Sequence, residues 1–198
     1  MIRLLTVCTG NICRSPFAER MLQTELESLH PGLFQVRSAG TGALVGNGME
    51  DQSAALLASF GGSSEGFASR QLVPALLADT DLVLAMTVAH RGAVVQMSPR
   101  LLKRSYTLVE LGRILRTIRR SGTDRVKTGN SPEQVRQRWQ QLPVLAAEFR
   151  SQSKPSTAGD DVVDPYRRSS LTHQQMVEEI LPAMEEILAF ERWYGNQG

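Results

Sequence analysis

Cys8 and Arg14 are the residues of this chain whose types and spacing most clearly carry chemistry. They bracket the string Val7-Cys8-Thr9-Gly10-Asn11-Ile12-Cys13-Arg14-Ser15-Pro16. A cysteine closes an apolar run, and an arginine follows at the start of a helical pattern. Consecutive backbone N–H groups in such a curl converge into an anion cradle, and the helix that follows adds the positive end of its dipole. Thr9, Gly10, Asn11, Ile12, Cys13 and Ser15 would supply that cradle. Gly10 and Asn11 are the residues expected to take left-handed backbone angles in the curl. Arg14 offers two parallel N–H bonds to a tetrahedral oxyanion, which a lysine does not. The same positive field, with a hydrogen bond from Ser15, favours the thiolate of Cys8. A thiolate beneath a cradled phosphorus is placed for attack, giving a phosphocysteine intermediate.

The elements that must hold this loop follow from periodicity. Ile2 to Val7 fits a buried first strand. Pro16 to Leu29 places Phe17, Met21, Leu22, Leu26 and Leu29 at helical spacing, with Ser15 as the expected N-cap and Pro16 in the first turn. Phe34 to Ala39 alternates as a strand, Glu50 to Phe60 is a second helix closed by Gly61, and Asp81 to Met86 is a third strand. Tyr106 to Leu108 is a short fourth strand. Leu171 to Trp193 is a long last helix with Pro182 inside it. Strands alternating with helices predict an α/β fold: a doubly wound, four-stranded parallel sheet flanked by helices, with its ligand site where the loops leave the carboxyl ends of the strands.

The chain reads as a single domain over 1–198 with a helical and loop insertion at about 112–160. Within it, Ser131-Pro132-Glu133 starts a helix running to about Arg150, and Ser151 to Gly159 reads as a flexible loop. The stretch 113–150 carries Arg113, Arg116, Arg119, Arg120, Arg125, Lys127, Arg136, Arg138 and Arg150 against few acids. This is a candidate surface for an acidic protein partner.

The net charge of +2 suits an anionic substrate. Aromatics are sparse and not interleaved with basic residues, which gives no nucleic-acid module. No apolar run reaches a membrane span of roughly 20 residues, and the N-terminus turns polar too soon for a signal peptide. A cytoplasmic setting is expected, with both cysteines available for chemistry rather than stapling. The three histidines have no ligand spacing, and neither a metal nor a cofactor is expected.

The string CTGNICRSP resembles the signature of low-molecular-weight protein-tyrosine phosphatases of the bacterial type. Ser38 to Thr41, Ser69 to Leu72, Asp81 to Met86 and Asp164-Pro165-Tyr166 resemble further family segments. The resemblance implies a flavodoxin-like fold and phosphotyrosine hydrolysis on protein substrates. It implies Cys8 as nucleophile, Arg14 as phosphate clamp and Asp164 as general acid and base. A proton donor on a loop is what an alkoxide or phenolate leaving group needs, and the residue before a proline is held extended. Leu44 stands where the family often walls its pocket with an aromatic, leaving Tyr166 as the aromatic wall. Phe67 replaces a histidine that often supports the loop asparagine and reads as core, and Arg167 replaces an aromatic or glycine. Cys13, beside Cys8 in the curl, is the expected redox partner that traps an oxidised Cys8 as a disulfide. Two alternatives share the fold. A protein-arginine phosphatase tends to carry threonine where Ile12 stands. A thioredoxin-linked arsenate reductase needs cysteines beyond Cys13, and the sequence has none, which leaves only a form using an external thiol.

Overall fold

The computed structural model describes residues 1–154 and 159–197, so the expected 151–159 loop lies partly outside the described residues. β1 (Ile2–Cys8) is buried at every position but Arg3. Leu4 packs into the larger hydrophobic cluster, while Leu5 and Val7 pack into the smaller one on the other face. A strand apolar on both faces is what the middle of a parallel sheet requires. β1 pairs in parallel with β2 (Phe34–Gly40) on one side and β3 (Leu82–Ala85) on the other, and β3 pairs with β4 (Ser105–Thr107). The order β2-β1-β3-β4 puts the reversal of winding between β1 and β3. Cys8 ends β1 at that switch point, where such sheets bind their ligands.

The helices cover both faces. α1 (Arg14–Leu29) buries Phe17, Leu22 and Leu26. Ser15 is not its N-cap: that position is Cys13, whose side chain makes no cap bond, and the Ser15 hydroxyl serves the loop instead. α2 (Asp51–Ser59) is capped by Glu50, whose carboxylate accepts from Ser53 N. α3 (Pro74–Ala78), α4 (Val88–Met97) and a 3₁₀ turn (Pro99–Arg104) were not among the expected elements. The fourth strand ends one residue sooner than its apolar run because Thr107 and Glu110 form a capping box that starts α5 (Leu108–Ser121). α6 (Pro132–Phe149) starts at the expected Ser131 cap, and α7 (Ser170–Gly195) runs through Pro182 without a break.

α5 and α7 approach closely. A Cβ on Gly112 would lie 2.8 Å from the Cα and carbonyl oxygen of Ala183, so only glycine fits. α6 is fastened by a buried group of charges. Arg138 binds Glu191 of α7 and the carbonyls of Lys127 and Gly129, and Trp139 and His30 donate to the same carboxylate.

Most arginines of the stretch 113–150 are ion-paired. Arg113 pairs with Asp160, Arg116 and Arg119 with Glu186, Arg125 with Glu148, Arg138 with Glu191 and Arg150 with Glu110. Asp160, Glu186, Glu191 and Glu110 come from outside the stretch, while Arg120 and Lys127 are exposed. No helix among the described residues is long and apolar enough to cross a membrane.

Candidate active site

The loop after β1 is turned inside out by its neighbours. The carbonyls of Cys8, Thr9, Gly10 and Ile12 accept from the backbone N–H groups of Thr41, Gly42, Leu44 and Glu50, at 2.9 to 3.1 Å. With its carbonyls engaged outward, the loop presents its amides to the hollow it encloses. One of them, Asn11 N–H, donates to Cys8 Sγ at 3.2 Å. β2 must pass close behind: a Cβ on Gly40 would collide with the Thr9 carbonyl.

Asn11 is the hub of the curl. It sits at φ 54°, in the left-handed region. Gly10 does not, contrary to expectation, and a Cβ there would meet nothing nearer than Ile12 at 3.6 Å. The Asn11 amide donates to Ser15 Oγ at 2.9 Å and Ser38 Oγ at 2.7 Å, and its Oδ1 accepts from Arg70 N at 2.8 Å. These donations fix the direction of the next protons. Ser15 Oγ, already accepting, turns its own hydrogen to Cys8 Sγ, 2.9 Å away. Ser38 turns its own to the carboxylate of Glu19, which also faces Arg70 at 3.8 Å.

Arg14 is buried at the head of α1 and its guanidinium reaches Asp164 Oδ2 at 2.8 Å and the Val162 carbonyl at 3.3 Å. The Asp164 side chain is about half exposed, so it faces both the arginine and the opening. The segment carrying it is tied down at several points. Val162 N donates to the Met86 carbonyl at the end of β3, Val88 N donates to Asp161, Val163 N donates to Glu179, and Arg113 grips Asp160. Residues 8 to 14, Gly42, Leu44, Asp164 and Tyr166 line a single pocket, with Cys8 among its buried residues and Leu44 and Tyr166 partly exposed. Arg167, at φ 57°, lays its guanidinium over the Tyr166 ring, 5.1 Å from the centroid. Phe67 is a core residue, as expected, and Arg70 N serves the asparagine in place of a histidine.

One neighbour of the loop was missed in the sequence. His90 bridges Thr9 Oγ1, at 2.8 Å from Nε2, and Thr87 Oγ1, at 2.7 Å from Nδ1. Burial, and then the charge of Arg14, push the imidazole down from 6.5 to about 4, so it is neutral at physiological pH. Ser38, Glu19 and Arg70 were missed as loop supports for the same reason: their partners are distant in sequence. Cys13 is buried, and burial pushes its thiol up to about 12.

A parallel α/β sheet with a two-donor thiol at its switch point, an arginine heading the next helix and a tethered aspartate opposite defines a narrow class. Over residues 3–113 the chain matches the family model of the low molecular weight phosphotyrosine protein phosphatases, and it belongs to that family. It is 43% identical over 98 residues to the low molecular weight protein-tyrosine-phosphatase Wzb of Escherichia coli K12, an alignment covering 50% of this chain and 63% of that protein. The corresponding protein of Streptomyces coelicolor is 37% identical over 99 residues, covering 49% of this chain and 60% of that one. The chain thus spans less than two thirds of the curated relatives it matches, and Asp164 lies beyond the residues matched by the family model. Two solved structures share the fold at 23% identity. Vibrio vulnificus Wzb in complex with benzylphosphonate gives a TM-score of 0.64 over 95% of this chain and 97% of that one. The YwlE arginine phosphatase of Geobacillus stearothermophilus gives 0.66 over 96% and 92%.

Proposed function

We propose that the protein hydrolyses phosphotyrosine on protein substrates through a phosphocysteine intermediate. The observation that carries this reading is the pocket itself: the Cys8 sulfur, receiving Asn11 N–H and Ser15 Oγ, shares it with Arg14 and Asp164. Cys8 attacks phosphorus, the S–P bond forms as the P–O bond to the leaving group breaks, and Asp164 delivers a proton to the departing oxygen. Asp164 then accepts a proton from the water that cleaves the S–P bond, returning free thiolate and inorganic phosphate. Arg14 and the loop amides hold the equatorial oxygens throughout. No metal or cofactor enters this scheme.

Leu44 and Tyr166 favour a flat aromatic substrate between them, and Ile12 in the pocket offers no hydrogen bond to a phosphoguanidinium group. The experiment is hydrolysis of matched phosphotyrosine, phosphoserine and phosphoarginine peptides by wild type and Cys8→Ser. The expected result is a preference for phosphotyrosine and loss of turnover by about 10⁴ or more in the variant. Preference for phosphoarginine would move the substrate class, and residual turnover near wild type in Cys8→Ser would remove the nucleophile.

A reducing, cytoplasmic setting belongs to the same reading, since both buried cysteines are free. So does a Cys8–Cys13 disulfide after oxidation of Cys8 to sulfenic acid. There the Cys13 thiolate attacks the Cys8 sulfur and hydroxide leaves. With the Cys13 thiol up at about 12, that thiolate is scarce near neutrality. Disulfide formation after a peroxide pulse should therefore quicken as pH rises from 7 to 9, by up to roughly tenfold per unit. Peptide mass mapping that finds no linkage across that range would remove the redox role.

A further inference from the structure

Behind the loop, three side chains distant in sequence come together. Cys13 comes from the loop, Glu50 from the cap of α2 and His173 from the first turns of α7. One ligand atom from each, the sulfur, a carboxylate oxygen and a ring nitrogen, lie within 4.8 Å of one another. A tetrahedral ion with metal–sulfur near 2.3 Å and metal–nitrogen or –oxygen near 2.0–2.2 Å spaces its ligand atoms about 3.3–3.7 Å apart. The cluster reaches that spacing with side-chain shifts on the order of 1 Å.

Two further features point to a cation. The first is the contact between His173 and Glu50. His173 Nδ1 meets the Ser169 carbonyl at 3.1 Å, which makes Nδ1 the donor, and Nε2 meets Glu50 Oε2 at 2.9 Å. A neutral imidazole with its proton on Nδ1 would turn a lone pair on that carboxylate. The contact therefore holds either a hydrogen or a metal ion between Nε2 and Oε2. An imidazole whose Nδ1–H is held by a backbone carbonyl is also how proteins orient a metal-binding histidine. The second feature is Ser53 Oγ. It is fully buried and within hydrogen-bonding reach of the Cys13 sulfur. It can supply a fourth ligand or hold a water in that position.

We propose that Cys13, Glu50 and His173 form a binding site for a borderline-soft divalent cation, zinc by preference. The donor set of one thiolate, one imidazole and one carboxylate is the mixture zinc favours over magnesium or calcium. The ion displaces the thiol proton of Cys13 and the proton shared by His173 and Glu50. Its effect would pass to the loop directly, because Cys13 is part of the loop and Glu50 N is bonded to the Ile12 carbonyl.

The test uses the full chain carrying Cys8→Ser, which leaves Cys13 as the sole thiol, and cadmium as the probe. One equivalent of Cd²⁺ should raise the ultraviolet thiolate-to-cadmium absorption, and Zn²⁺ should abolish it by competition. Adding His173→Gln or Glu50→Gln to that background should weaken Cd²⁺ binding at least tenfold. In case these variants fold poorly, the imidazole proton resonances of His173 in the Cys8→Ser chain provide a second reading and should shift on one equivalent of Zn²⁺. No thiolate absorption, or absorption with affinity unaffected by both substitutions and a His173 resonance that does not move, would overturn the site. Because the readout is binding, it stands apart from whether the protein hydrolyses phosphotyrosine.

Discussion

Asn11 takes a strained φ and spends every polar atom of its side chain on holding the loop, orienting Ser15 toward the sulfur. Asp164, by contrast, accepts from Arg14 and Tyr166 N–H and is otherwise half exposed. The two should fail differently. If Asp164 is the proton donor, Asp164→Asn slows hydrolysis of aryl phosphates with poor leaving groups by about 100-fold or more. Esters whose phenolate leaves unprotonated are slowed far less. Rates across a series of substituted phenyl phosphates check this, and an equal loss along the series would exclude the role. At this scale the sequence was legible where chemistry and local geometry coincide: Cys8, Arg14 and Ser15 are close in the chain, and the Asp-Pro pair has a motif. The supports were not. His90, Ser38, Glu19 and Arg70 reach the loop over long sequence separations, through single hydrogen bonds that leave no periodic trace.

Among the elements, the α5–α7 contact depends on the missing side chain of Gly112. Gly112→Ala should push Ala183 away and cost about 1–3 kcal/mol despite the better helix propensity of alanine. Thermal unfolding measures this, and an unchanged Tm would mean the helices separate freely. The strands were readable because β1, β2 and β3 are short apolar runs bounded by polar turns. α5 was overlooked although Leu108, Leu111, Ile114, Leu115 and Ile118 lie on one face. Its arginines drew attention to charge and away from period. α4 was harder, since only His90 and Val94 of its ten residues are buried. The ion pairs of the basic stretch were hidden for a related reason. Arginines at helical spacing look solvated in a string, while Glu186, Glu191 and Asp160, which neutralise several of them, lie far downstream.

For the whole molecule, two buried groups bound the pH range of stability. His90 titrates at about 4 in the fold against 6.5 ordinarily. Between those values the unfolded chain binds a proton that the folded one does not. Stability therefore falls as pH drops through that window, by about 3 kcal/mol in all. Cys13 acts at the other end. Its thiol is raised from 9.0 to about 12, so the unfolded chain ionises first and stability falls as pH climbs above 9. Glu50, Glu186 and Glu191 are held below their ordinary 4.5 and add losses only at lower pH. Chemical denaturation between pH 4.5 and 6.5 should thus flatten in His90→Asn, and an identical acid limb in that variant would assign the loss elsewhere.

The contact between Arg14 and Val162 spans 148 positions of chain. On a ribosome adding about 5–20 residues per second, the loop with its nucleophile leaves the exit tunnel on the order of ten seconds before the aspartate segment that sits opposite it. α7, which carries His173, follows later still. For that interval β1 can already pair with β2, while Cys8 has neither Asp164 opposite it nor its cover. The nascent chain is then most open to oxidants, and Arg14 meets its aspartate only after residue 164 has emerged.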